Sequence, residues 1–141
     1  MKIFISIASY QDPLLKATIN SAFKMSDKPE NLTFGVCDQS SVSIDMNSFE
    51  FKNQIFYEHI DPLVSQGPCW ARARIQERFS DEDYYLQIDS HTQFLKGWDS
   101  YLIKYMKKIQ EIDSEHHKKP IITCYPRAFE VVDYATNEFV L

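Results

Sequence analysis

Asp89-Ser90-His91 follows the apolar run YYLQI at residues 84–88 and is the sharpest candidate for chemistry in the chain. If the chain stays extended there, Asp89 and His91 point to the same side and present a carboxylate oxygen and an imidazole nitrogen to a common cation. Such donors, with positions left open for water or phosphate, suit Mn²⁺ or a similar divalent ion, which would neutralise a diphosphate leaving group. In the alternative interpretation, Asp89 caps a turn and His91 is a surface or core-edge histidine.

Polar residues also follow two other apolar runs, KIFISIA at residues 2–8 and LTFGVC at residues 32–37. Ser9 and Tyr10 come after the first run, and Asp38 comes after the second. A carboxylate at the end of a strand can accept hydrogen bonds from a nucleobase or a ribose, and an Asx turn is the alternative for Asp38. All three residues are therefore candidates for contacts with a ligand.

Two arginines, Arg72 and Arg74, lie in the first turns of a helix that Gly67-Pro68 is predicted to open. Arginines at this place could pair bidentately with a phosphate or hold Asp89 in position. A solvated helix face is the alternative for both of them.

Apolar runs alternate with helical periodicity along the chain, which predicts βαβ crossovers and a mostly parallel sheet flanked by helices. Such sheets bind ligands beyond the carboxyl ends of their strands, where the candidate residues lie. Strands are predicted at residues 2–8, 32–37, 55–60, 84–88 and 121–125, and helices from Asp12-Pro13 to about residue 25, from Gly67-Pro68, and after Gly97. Residues 40–53 are polar and predicted to be irregular.

Composition limits the class of protein further. A chain of 141 residues buries roughly two thirds of its unfolded surface, enough for one core and a single domain. Its net charge of −5 disfavours non-specific binding to nucleic acid, which needs a dense basic face. The three glycines leave no room for a dinucleotide-binding GxGxxG motif or a Walker A loop, and no apolar stretch is long enough to span a membrane.

Cysteine and histidine spacing gives no sign of a zinc or disulfide site. Cys37, Cys69 and Cys124 are widely spaced and odd in number, which predicts reduced thiols in a cytoplasmic protein. His116-His117 lies in a lysine-rich break and is predicted to be a solvated loop, with a paired metal role as the alternative.

Several segments, taken in their order along the chain, resemble a GT-A glycosyltransferase. FISIASYQDPLLKATINSA resembles the first strand and helix of that Rossmann-like nucleotide-diphospho-sugar transferase fold, and FGVCDQSS resembles its second strand. Asp89-Ser90-His91 matches the D-x-H form of the D-x-D motif, as in the polypeptide GalNAc-transferases. The chain is more similar still to the cytoplasmic hydroxyproline-protein GlcNAc-transferases and their bacterial relatives, through ISIASY-x-DP, GPCWAR, and QIDSH-x-x-F with WD shortly after. The resemblance extends from residue 2 to about residue 105.

This resemblance implies transfer of GlcNAc, or a similar sugar, from a UDP-sugar to a hydroxyl acceptor on a protein or a glycan, with retention of anomeric configuration. Asp38 would then face the uracil, and Ser9 and Tyr10 would border the nucleotide.

The resemblance also implies roles for the residues on the diphosphate side. Asp89 and His91 would bind Mn²⁺ (or Mg²⁺) and, through it, the diphosphate. Arg72 or Arg74 would support the nucleotide.

GT-A enzymes are usually much longer than this chain. Residues 1–141 are therefore expected to form a single nucleotide-sugar-binding domain, the N-terminal part of a longer enzyme, with the fold incomplete at its C-terminus. No catalytic acid, base or nucleophile is assigned. The alternative is a non-catalytic domain of the same fold that binds a nucleotide-sugar or a protein partner. A nucleotidyltransferase-like enzyme is less favoured because the N-terminus lacks a glycine-rich phosphate loop.

Overall fold

The computed structural model describes residues 1–112, 119–133 and 138–140. The chain divides into two compact units. The first comprises Met1–Lys24 and Lys28–Phe94, and the second comprises Met25–Asp27 and Leu95–Leu141. Among the described residues, no helix combines the length and the apolar character needed to cross a bilayer.

The first unit is built on a four-stranded parallel sheet, which confirms the predicted α/β class. The strand order is β3-β2-β1-β4, and both β2 and β4 pair with β1. The elements are β1 (Ile3–Tyr10), α1 (Leu15–Met25), β2 (Leu32–Gln39), β3 (Ile55–His59), α2 (Pro68–Gln76) and β4 (Tyr84–Asp89). Both β1 and β2 run two residues further than predicted, so Ser9, Tyr10 and Asp38 lie within the last two positions of their strands rather than after them.

One face of the sheet packs against α2. Phe4 and Cys37 from the strands form a buried cluster with Ala71 and Ile75 from the helix. Gly35 is the point of closest approach, because a Cβ atom at this position would collide with the side chains of Phe4 and Ile75. The sequence of β2 therefore needs glycine here to let α2 reach the sheet.

The other face carries α1 and an aromatic cluster. The helix buries Leu15, Ile19 and Ala22, as its spacing predicts. Phe23 of the helix stacks on Phe51 with ring centroids 3.7 Å apart, and Phe51 also contacts Phe34 and Phe49. Phe49 and Phe51 belong to the segment predicted to be irregular. They follow and precede two short 3₁₀ turns, Met46–Ser48 and Lys52–Gln54, and both rings are buried.

Two helix boundaries differ from the sequence prediction. α1 begins at Leu15, two residues after Pro13, because Asp12 forms an Asx turn in which its Oδ1 accepts the Leu14 N–H at 2.9 Å. α2 ends at Gln76, so Phe79 lies beyond the helix rather than on its apolar face.

The second unit contains α3 (Trp98–Ile112) and the antiparallel hairpin of β5 (Glu130–Asp133) and β6 (Glu138–Val140). Asp99 ties the start of α3 to the preceding chain, since it accepts hydrogen bonds from the Ser26 hydroxyl at 2.6 Å and the Asp27 N–H at 2.8 Å. The predicted strand at 121–125 is wrong. This apolar segment has no regular structure and is largely exposed, because an extended run becomes a strand only where another strand pairs with it.

Candidate functional site

The carboxyl ends of β1, β2 and β4 meet at one edge of the first unit's sheet. The parallel register places Ser9 beside Asp38 and Ala8 beside Asp89. Because successive residues of a strand point to opposite faces, Asp38 and Asp89 project from opposite faces of this edge. The two candidate carboxylates thus lie at the same edge of the sheet, on the strands that flank β1, but on opposite faces.

Ser9 and Tyr10 differ sharply in environment. Ser9 is buried, and its Oγ has no hydrogen-bond partner among the described residues. Its carbonyl accepts a hydrogen bond from Nε2 of Gln39 at 2.9 Å. Tyr10 projects from the strand with 59% of its surface exposed, so its ring is available to a ligand at this edge.

Asp38 is held by a tyrosine from the neighbouring strand. The Tyr57 hydroxyl donates a hydrogen bond of 2.6 Å to Oδ2 of Asp38 and accepts the Ile44 N–H at 2.9 Å. Burial and the hydrogen bond to Asp38 raise the pKa of Tyr57, so the phenol keeps the proton that it donates. Oδ1 of Asp38 accepts no hydrogen bond within the described part of the chain.

A cleft of about 310 Å³ opens beside Asp38, a volume within the usual range for small-ligand sites. Its walls come from the loop after β1, the first turn of α1 and the loop after β2, and include Asp12, Lys16 and Ser41. Gln11 joins these loops: its Oε1 accepts the Ser41 N–H at 3.1 Å, and it adopts a left-handed backbone conformation with φ of 51°.

Asp89 is paired with an arginine of α2. Nη2 of Arg72 lies 3.3 Å from Oδ1 of Asp89, and Nε of Arg72 is buried without a hydrogen-bond partner among the described residues. The structure thus places Arg72 where it holds Asp89, one of the two roles considered for it. Oδ2 of Asp89 accepts no hydrogen bond from any described residue, and the side chain is 66% exposed.

The geometric argument that puts Asp89 and His91 on one side of an extended strand does not apply. β4 ends at Asp89, and Ser90 and His91 form a turn. The Thr92 hydroxyl closes this turn by donating to the carbonyl of Asp89 at 2.9 Å. If Asp89 and His91 bind one ligand, it is the geometry of this turn, and not the alternation of a strand, that directs both side chains to it.

His91 is anchored to the loop after β1. Its Nδ1 lies 2.8 Å from Oδ2 of Asp12, and the Ser90 hydroxyl donates to the same oxygen at 2.6 Å. Burial raises the pKa of Asp12, but the hydrogen bonds from Ser90, His91 and the Leu14 N–H outweigh this effect and hold the pKa below its usual value. Asp12 is therefore an ionised acceptor for three donors.

Arg74 points to a different partner. It donates two hydrogen bonds to the carboxylate of Glu58, and its guanidinium carbon lies 5.0 Å above the Trp70 ring. The hydrogen bonds from Arg74 lower the pKa of Glu58. The structure brings Arg72, and not Arg74, to Asp89.

Asp89 and His91 supply donor atoms suited to a divalent cation. Asp89 and His91 each keep one donor atom without a hydrogen-bond partner among the described residues, Oδ2 and Nε2 respectively. A carboxylate and an imidazole fit a Mn²⁺ or Mg²⁺ site in which other ligands fill the remaining positions. The described residues contain no group of three His, Cys, Asp or Glu side chains that could hold an ion without such ligands, and His116-His117 lies outside them.

Sequence reasoning missed the roles of Asp12 and Tyr57. The sequence indicates Asp12 only as the start of a helix, and its contact with His91 spans 79 positions. Tyr57 occurs in the apolar run of β3. Alternation along β2 and β3 puts Tyr57 on the same face of the sheet as Asp38, and this is the signal that would have identified it.

Comparison with protein families gives one match. The family model described as Glycosyltransferase (GlcNAc) matches residues 2–50 and 41–139 of the chain. No curated protein sequence matches significantly.

Solved structures share the fold. The crystal structure of residues 1–349 of S. aureus TarS aligns with a TM-score of 0.56 and 20% sequence identity, covering 83% of this chain and 33% of that one. The structures of TarS 1–349 in complex with UDP-GlcNAc and with UDP have the same score and identity, and cover 83% of this chain and 32% and 33% of theirs. This chain therefore spans about a third of TarS 1–349, and the likeness establishes the nucleotide-sugar transferase fold alone.

Proposed function

The chain belongs to the glycosyltransferase (GlcNAc) family, and we propose that it binds a UDP-sugar, UDP-GlcNAc in the first instance, for transfer of the sugar to a hydroxyl acceptor. The single observation that carries the proposal is the carboxylate of Asp38 at the wall of a cleft of about 310 Å³. The TarS complexes with UDP-GlcNAc and UDP support the choice of donor, because they contain these ligands in a protein of the same fold.

Asp38 provides the chemistry for recognising uracil. An ionised carboxylate only accepts hydrogen bonds, and uracil has an N–H at N3 where cytosine has an acceptor. Tyr57 occupies Oδ2, which leaves Oδ1 for the base. Ser9 and Tyr10, at the end of the adjacent strand, are proposed to border the nucleotide. Lys16 lies in the cleft wall, where its positive charge would attract an anionic ligand.

Asp89 and His91 are proposed to hold Mn²⁺ or Mg²⁺ with the diphosphate. When bound, such an ion would neutralise the negative charge of the departing diphosphate. Arg72 contributes by pairing with Oδ1 of Asp89, which restricts the carboxylate and leaves Oδ2 for the ligand. The guanidinium of Arg74 is hydrogen-bonded to Glu58. Arg74 is therefore proposed to support the nucleotide side only indirectly, by its position on α2.

Retention of anomeric configuration and a protein or glycan acceptor are part of the proposal. They are supported by the resemblance to the hydroxyproline-protein GlcNAc-transferases and so rest on analogy. The residues of the site are proposed to contact the donor, and we assign no catalytic acid, base or nucleophile.

Calorimetric titration of the full chain with UDP and with CDP, each with Mn²⁺, tests the proposed nucleotide site. We expect UDP to bind at least about tenfold more tightly than CDP, because a lost hydrogen bond to a charged group costs about 1.5–3 kcal/mol. Asp38→Asn should remove this preference. Asp45→Asn is the matched control, since Asp45 caps an exposed 3₁₀ turn and should leave it unchanged. Equal affinity of wild type for UDP and CDP would refute the proposed site.

Cleavage of the donor is tested by incubating the chain with UDP-GlcNAc and Mn²⁺, with water in place of the hydroxyl acceptor, and measuring released UDP. Turnover above background that is lost in Asp89→Ala supports the enzyme. Tight UDP binding without turnover would favour the alternative, a non-catalytic domain of this fold that binds a nucleotide-sugar.

A further inference from the structure

Asp12 is the meeting point of three hydrogen bonds at the sheet edge. Its Oδ1 accepts the Leu14 N–H at 2.9 Å, and its Oδ2 accepts the Ser90 hydroxyl at 2.6 Å and Nδ1 of His91 at 2.8 Å. The side chain is only 15% exposed. One carboxylate thus links the start of α1 to the turn that follows β4.

We propose that Asp12 is a positioning residue that fixes the ring of His91 so that Nε2 is the atom presented to a divalent cation. This inference rests on the proposed function, in which His91 is a metal ligand. A carboxylate can only accept, so the hydrogen bond requires the proton of a neutral imidazole to sit on Nδ1. The lone pair is then on Nε2, which has no partner among the described residues.

Carboxylates commonly hold metal-binding histidines in this manner, and their loss typically costs 10–100-fold in metal affinity. Asp12 suits the task because its own rotamer is restrained. The Leu14 N–H occupies one oxygen, and the Ser90 hydroxyl shares the other with His91.

A second contact holds the backbone of the same turn without touching the His91 ring. The Thr18 hydroxyl of α1 donates to the Ser90 carbonyl at 2.6 Å and accepts the Thr92 N–H at 3.0 Å. Thr18 is fully buried. This arrangement separates two roles: Thr18 holds the turn, and Asp12 also sets the orientation and tautomer of the imidazole.

Asp12→Asn distinguishes the positioning role from simple helix capping. Asparagine has a single side-chain oxygen, so it can cap Leu14 and then offers an amide N–H to Nδ1 of His91, which favours the opposite tautomer. Thr18→Val is the matched control, because it removes a contact with the turn and leaves the Asp12–His91 pair in place.

Two measurements are made on the full chain. Nitrogen-15 NMR of histidine side chains in the metal-free protein reports the tautomer of His91, whose signals are assigned with His91→Gln. Electron paramagnetic resonance titration gives the affinity for Mn²⁺ in the presence of UDP. We expect the Nδ1–H tautomer in wild type and in Thr18→Val, with Mn²⁺ affinities within about threefold. For Asp12→Asn we expect the Nε2–H tautomer and an affinity at least about tenfold lower.

The wild-type tautomer is informative even if Asp12→Asn does not fold. A wild-type protein that carries the proton on Nε2 while it binds Mn²⁺ with UDP overturns this inference and leaves the proposed function intact. Unchanged Mn²⁺ affinity in folded Asp12→Asn overturns it as well. A wild-type protein that does not bind Mn²⁺ with UDP overturns both the inference and the metal site on which it rests.

Discussion

Nδ1 of His91 lies 2.8 Å from Oδ2 of Asp12, although the two residues are 79 positions apart in the sequence. The contact joins the loop after β1 to the turn after β4, two strands that are direct neighbours in the sheet. It also explains how an exposed histidine in a turn keeps a defined orientation. The candidate metal ligands are thus held separately, Asp89 by Arg72 of α2 and His91 by Asp12.

Tyr57→Phe should weaken binding of UDP about 5–10-fold and lower the free energy of unfolding by about 1 kcal/mol. The change removes the donor to Asp38 and leaves the Ile44 N–H without its acceptor. Calorimetric titration with UDP and Mn²⁺ and urea denaturation provide the two values. Tyr84→Phe is the control, because the Tyr84 hydroxyl contacts only Met1 Sδ, at 3.6 Å, among the described residues. Equal effects of the two variants would contradict the role given to Tyr57.

Gly35→Ala should destabilise the first unit by about 1–3 kcal/mol, because the added methyl group collides with Phe4 and Ile75. Urea denaturation followed by far-UV circular dichroism measures the change. In an Ile75→Ala background the same substitution should cost less, since one of the colliding side chains has been shortened. Additive costs in the double variant would show that α2 does not approach the sheet at this glycine.

The Glu58–Arg74 pair should stabilise the fold only above acidic pH. Hydrogen bonds from Arg74 hold the pKa of Glu58 below 4.5, its ordinary value. Stability from the pair is therefore fully present above about pH 4.5 and is lost as the pH falls through the lower pKa of the folded state. Both side chains are partly exposed, so solvent screens the pair and its contribution to stability is small.

Melting temperatures of wild type and Glu58→Gln between pH 3 and pH 8 test this pH dependence. The difference should be constant near neutrality and shrink toward the acidic end. Glu50→Gln, at an exposed position, should match wild type throughout. A difference that grows as the pH falls would contradict the ion pair.

Two of the three thiols should react readily with Ellman's reagent in the native protein at pH 8. Cys69 and Cys124 are exposed, whereas Cys37 is buried and burial raises its pKa to about 11, which leaves it as an unreactive thiol. The third equivalent should appear only after guanidinium unfolding. Cys37→Ala should leave the native count at two, and three fast equivalents in wild type would contradict the packing of β2 against α2.

The strands and helices of the first unit could be predicted from the sequence because each is encoded by residues that are close together in the chain. Short β-branched runs and residues spaced at three and four positions describe strands and an apolar helix face without reference to the rest of the chain. The run IFISIAS and the face of Leu15, Ile19 and Ala22 belong to β1 and α1. The segment 121–125 has the same local character and is not a strand, since strand formation also requires a partner.

The sequence by itself determined the parallel α/β class and named Asp38, Asp89 and His91, because chemistry-bearing residues at the ends of apolar runs are visible in one dimension. Only the tertiary structure decided what holds them. Tyr57 reaches Asp38 from β3, Arg72 reaches Asp89 from α2, and Asp12 reaches His91 from the loop after β1. Such pairs depend on strand order and on turn geometry, which follow from packing over the whole sheet and leave no trace in local spacing.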